Sequence, residues 1–129
     1  MQKVTILCVG KLKEKFYLDA VAEYSKRLQR HCRLEILELP EQRLPDAPVQ
    51  GEIDAALERE AAAIREKLPK GCALVAMCIE GQLLSSEELS RRLMRFSLEG
   101  KSHIVFLIGG SFGLHTALKS QADLRLSMS

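Results

Sequence analysis

HIVFLIGGSFG, His103 to Gly113, is apolar at every position from Ile104 to Ile108 and then breaks into Gly109, Gly110, Ser111, Phe112 and Gly113. An unbroken apolar run of this kind reads as a central strand buried on both faces, and the glycines mark a sharp turn at its end. A short helix from Leu114 to about Ala122 and a last strand near Leu124 to Ser127 follow. Working back from this stretch, Val4 to Val9 (VTILCV) is a second such run ending at Gly10, and Cys72 to Ile79 (CALVAMCI) a third, ended by Glu80 and Gly81. Leu34, Ile36, Leu37 and Leu39 alternate imperfectly with charged residues before Pro40, which suits an edge strand.

Helical patterns separate these runs. Phe16 to His31 carries Phe16, Ala20, Tyr24 and Leu28 on one stripe, and Glu52 to Leu68 carries Ile53, Ala56, Leu57, Ala61, Ile64 and Leu68. Ser85 and Glu88 have the spacing of a capping box, opening a helix that runs to Gly100. The proline-bearing stretch from Glu41 to Gly51 is the one mobile loop to be expected, too short to separate domains. Strands alternating with helices at this spacing pair in parallel through right-handed crossovers. The expected fold is therefore α/β, a mostly parallel sheet of about five strands with helices on both faces. Ligands in such sheets sit beyond the carboxyl ends of the strands, which here means Gly10 to Lys15, Glu80 to Leu84, Gly109 to Gly113 and whatever follows Leu126.

With 129 residues the chain makes one domain; it is 47% hydrophobic and 28% charged, a composition that excludes a disordered or fibrous chain. No apolar run approaches the roughly 18 to 20 residues that cross a bilayer, and the N-terminus does not read as a cleavable signal, so a cytoplasmic protein is expected. The four cysteines form no CxxC pair and read as buried thiols, and neither disulfide nor metal spacing is present. Net charge is only +2, from 19 Lys and Arg against 17 Asp and Glu, so a nucleic-acid surface has to come from local clusters. Aromatic residues are 5% of the chain with no Trp, which disfavours a base-stacking platform.

The glycine turn reads equally as a strand-to-helix turn or as a ligand loop. Gly109, Gly110 and Gly113 miss the GxGxxG spacing, and no P-loop lysine follows. The strand ends lack the Asp cluster of a phosphorelay receiver, there is no G-x-S-x-G elbow, and His31, His103 and His115 read as structural. Arg91, Arg92 and Arg95 read as a solvated helix face. Lys11, Lys13 and Lys15 follow a strand's carboxyl end, where they are expected to meet RNA phosphates.

VTILCVGKLKEKFYLDAVAEYSKRL at the start, ALVAMCIEGQLLSSEELS in the middle and VFLIGGSFGL resemble, in this order and along the whole chain, the RNA large subunit methyltransferase H family of the SPOUT class. The resemblance implies an α/β-knot fold and a cytoplasmic homodimer. It also implies transfer of a methyl group from S-adenosylmethionine to N3 of a pseudouridine in 23S ribosomal RNA of the large ribosomal subunit. Carried over by position, the cofactor contacts fall on Met77, on Gly109 with Gly110 beside it, and on Met128 and Ser129; no catalytic base is identified. Family members continue past this point through a T-[LF]-P-H type segment and a final helix. Residues 1–129 are thus expected to form a single SPOUT methyltransferase domain lacking the C-terminal knot segment, with an incomplete knot and doubtful transfer activity. The alternative expectation is a non-catalytic RNA-binding or dimerisation module of the same ancestry. Neither a metal nor a membrane is expected.

Overall fold

The structure, a computed structural model, describes residues 2–128. Among these, strands β1 (Gln2–Val9), β2 (Cys32–Leu39), β3 (Ala73–Leu83), β4 (His103–Ile108) and β5 (Leu124–Ser127) alternate with helices α1 (Lys15–Leu28), α2 (Gln50–Lys67), α3 (Ser86–Leu98) and α4 (Thr116–Gln121). The strands form one sheet in the order β2-β1-β4-β3-β5, and every pairing is parallel. The chain leaves β1 toward one edge and β4 toward the other. The loops after these two neighbouring strands therefore diverge, which opens a crevice at their carboxyl ends.

Burial follows the strand periodicity. Thr5, Leu7 and Val9 on β1 and Val105 and Leu107 on β4 point to one face. There Leu7, Val9, Val105 and Leu107 pack with Leu74 and Ala76 of β3, Ala61 and Ile64 of α2, and Leu114 and Leu118. On the opposite face Ala73, Val75, Ile104, Leu124 and Leu126 pack with Phe96 of α3. Helices thus cover both faces. The capping box is formed: Glu88 N–H donates to Ser85 Oγ at 3.1 Å, and Ser85 N–H donates to the Glu88 carboxylate at 2.9 Å.

Asp123 fixes β5 against β3. Its N–H donates to the Leu74 carbonyl, its Oδ2 accepts from the Leu74 N–H, and Lys101 Nζ lies 2.8 Å from its Oδ1. This brings Leu126 beside Met77 in the ladder.

Three local differences from the sequence reading stand out. First, β3 does not stop at Glu80 and Gly81. Met77 and Gln82 both register with Leu126, so residues 78–81 form an excursion within the strand, which then resumes through Leu83. The charge and the glycine that looked like a strand terminus mark this bulge. Second, α1 starts at Lys15 and ends at Leu28, short of the His31 its pattern suggests, and its apolar stripe has no buried residue. Phe16 and Tyr24 are each 63% exposed. Third, the four free cysteines are half-buried rather than buried.

Candidate functional site

The carboxyl edge of the sheet holds two recesses, and the loop that follows β4, the central strand between β1 and β3, runs between the strands that line them. The larger, about 650 Å³, is lined by Val9, Gly10, Lys11, Lys13, Glu38, Leu39, Pro40, Glu41, Gly110 and Ser111, and it occupies the crevice opened by the diverging β1 and β4 connections. The smaller, about 260 Å³, lies at the β3 excursion and the end of β5, lined by Met77, Cys78, Ile79, Leu126, Ser127 and Met128.

The loop itself is closed by backbone. Gly113 N–H donates to the Gly110 carbonyl at 3.0 Å, and the two residues form an antiparallel bridge. A Cβ placed on Gly109 would stand 2.4 Å from the carbonyl carbon and oxygen of Gly113, so only glycine permits this approach. At Gly110 a Cβ would stand 2.7 Å from Oε1 of Glu41, which in turn accepts the Ser111 N–H at 2.7 Å.

The residues expected to act together divide between the two recesses. Met77 and Met128 share the smaller one, and Gly110 lines the larger with Lys11 and Lys13. Gly109 is the first residue after β4. Lys15 opens α1, pairs with Asp19 at 2.8 Å and does not line either recess. Ser129 lies outside the described residues. Sequence reasoning missed Glu41, which it assigned to the mobile stretch. No local pattern marks this contact, because the partner amide is far along the chain.

The histidines have structural contacts. His103 Nε2 is 2.8 Å from Thr5 Oγ1, and burial, with the charge of Lys3, lowers its pKa. His115 Nδ1 accepts the Ala117 N–H at the start of α4. Burial, aided by the charge of Glu80, raises the Cys78 thiol, so it stays protonated near neutrality.

Glu60 on α2 is only 7% exposed, and its carboxylate accepts the Gln42 N–H at 2.9 Å. Burial raises its pKa; the Gln42 hydrogen bond opposes this, and the nearby charge of Glu41 adds to the rise. The native state therefore holds this proton more tightly than the unfolded chain. Stability from this group is lost as pH rises from the unfolded carboxyl value through the folded one. Glu60→Gln keeps an acceptor and removes the titration. Its Tm relative to the parent protein should rise between pH 4 and pH 7; a difference that does not change with pH contradicts the assignment.

Comparison with known proteins places the sequence in a family. The family profile described as "Predicted SPOUT methyltransferase" matches residues 2–129. The chain belongs to the SPOUT methyltransferase family. Among its relatives, the ribosomal RNA large subunit methyltransferase H of Acetivibrio thermocellus is 43% identical over 127 residues, 98% of this chain and 80% of the relative. The protein of the same name from Moorella thermoacetica is 42% identical over 129 residues, 100% of this chain and 81% of the relative. That of Streptococcus suis is 42% identical over 125 residues, 97% and 79% of the two chains. A SPOUT methyltransferase needs a methyl donor, and the smaller recess, walled by Met77, Cys78, Ile79, Leu126, Ser127 and Met128, is mostly apolar and opens where the β3–β5 ladder is interrupted.

Proposed function

We propose that residues 1–129 form one SPOUT methyltransferase domain that methylates N3 of a pseudouridine in 23S ribosomal RNA. The observation that carries this reading is the pair of recesses on one sheet edge, one mostly apolar and one bearing lysines, in a chain that aligns with a methyltransferase relative over 98% of its own length and 80% of the relative's. Met77, Met128 and the backbone at Gly109 and Gly110 would hold the cofactor, with Ser129 continuing the same segment. S-adenosylmethionine held there would supply an electrophilic methyl group, carried on a sulfonium, for the acceptor nitrogen. The protein's own work is to orient: the apolar ends of β3 and β5 would seat the cofactor on one side, and Lys11 and Lys13 anchor the RNA backbone on the other. The RNA and the large ribosomal subunit are the partners, and the cytoplasm is the compartment in which they meet; among the described residues no helix is long and apolar enough to cross a membrane.

The test is to incubate the protein with large ribosomal subunits and methyl-labelled S-adenosylmethionine, then digest the RNA to nucleosides. N3-methylpseudouridine is the expected product. Label on another nucleoside or on ribose overturns the assignment, and RNA binding with no transfer identifies a non-catalytic module instead.

A homodimer accompanies this function. Its support is α1, whose Phe16, Tyr17, Leu18, Val21, Tyr24 and Leu28 are all exposed on a helix with no buried residue, an apolar surface of the kind that a second chain covers. Replacing both Phe16 and Tyr24 by Asp should convert a dimer to a monomer in sedimentation. A parent protein that sediments as a monomer contradicts the dimer, and a dimer unaffected by the double substitution removes α1 from the interface.

A further inference from the structure

We propose that Glu41 is a positioning residue that holds the glycine loop in the shape the cofactor requires; this rests on the reading of Gly109 and Gly110 as cofactor contacts. Glu41 follows Pro40 at the end of β2, on the far side of β1 from the loop it touches. Its Oε1 accepts the Ser111 N–H at 2.7 Å and fills the space where a side chain on Gly110 would start. Its Oε2 is 3.7 Å from the place a Cβ would take on Gly10. The carboxylate thus sits between the glycines that end β1 and β4, a seat that a larger residue at Gly110 would block.

The holder is itself held. The next residue, Gln42, donates its N–H to Glu60 Oε2 at 2.9 Å, and its side-chain oxygen accepts from Arg59 Nε at 3.0 Å. Both partners are on α2, which is anchored in the core through Ala56, Ala61 and Ile64. A continuous chain of contacts therefore runs from a helix packed on the core through Gln42 and Glu41 to the Ser111 amide. The loop needs such an anchor. Ser111, Phe112 and Gly113 are exposed, and three glycines give the segment large conformational freedom to lose on ordering. A charge-assisted hydrogen bond on the one amide between Gly110 and Phe112 selects a single loop shape before the cofactor arrives. The same residue lines the recess that holds Lys11 and Lys13, so it touches both the glycine loop and the lysine-bearing recess.

Two variants and two measurements decide it. Glu41→Ala should weaken S-adenosylmethionine binding, measured by calorimetry, by about tenfold and speed Ser111 amide exchange in the ligand-free protein by about the same factor. Glu41→Gln, which keeps an acceptor, should restore both to within about threefold, with Tm unchanged in either variant. Parent-like affinity and exchange in Glu41→Ala, or no restoration by Glu41→Gln, overturns the proposal. A parent protein that gives no binding heat overturns the cofactor reading and the positioning role with it, whereas unchanged binding in Glu41→Ala overturns the positioning role alone.

Discussion

Gly109→Ala should abolish binding of S-adenosylmethionine while leaving a folded protein. The added methyl would begin 2.4 Å from the carbonyl carbon and oxygen of Gly113, and both atoms are backbone, so no flexible side chain can yield. The loop has to open, breaking the Gly110–Gly113 bridge that shapes it. Overpacking of this kind costs about 1 to 3 kcal/mol. For a domain of this size Tm should fall by about 5 to 10 °C. Gly51→Ala is the matched control: it lies in α2, a Cβ there meets nothing within 4 Å, and it should leave binding unchanged and Tm equal or slightly higher. Calorimetry and thermal denaturation on the two variants separate them. Parent-like binding by Gly109→Ala would show that the loop's closed shape is not what the cofactor reads.

Replacing Lys11 and Lys13 together by Ala should lower affinity for large-subunit RNA by roughly ten- to thirtyfold at low salt. The slope of log affinity against log salt should become shallower by about 1.4 to 1.8, the value for two lost phosphate contacts. Both residues line the crevice beside Gly110. Lys15→Ala should do much less, because Lys15 lies outside that recess and pairs with Asp19 one helical turn on. Equal affinity and equal slope for the double variant and the parent protein would remove the crevice from the RNA-binding surface.

The central strands were readable because each carries its own signature. VTILCV, CALVAMCI and HIVFLI are apolar on both faces, and the structure buries both faces of the sheet. The Ser85–Glu88 capping box and the last strand, Leu124 to Ser127, were equally local. What escaped was set by contacts between distant segments. The excursion at residues 78–81 depends on how β3 passes β5, and a glycine after a glutamate looks the same at a strand end as in a bulge. The grip of Glu41 on Ser111 joins the end of β2 to the loop after β4, and no spacing rule connects them. The α1 stripe was visible as amphipathic, yet periodicity alone does not say whether such a face turns to its own core or outward. Of the proposed site, the glycine loop and the lysines stand out in the sequence as exceptions to strand and helix patterns. Met77 is one apolar residue in an apolar run, and only the resemblance to a family singled it out.

In the proposed arrangement the cofactor lies between the β3 excursion and the end of β5, one strand over from β4 and the glycine loop that follows it. Methionine methyl groups report on this directly, since Met77 and Met128 line that recess while Met94 is exposed on α3 and lines no part of it. In protein labelled with ¹³C at the methionine methyls, titration with S-adenosylmethionine should shift the Met77 and Met128 resonances together and leave Met94 in place. Saturating cofactor that moves neither Met77 nor Met128, or that moves Met94 alone, would contradict the account.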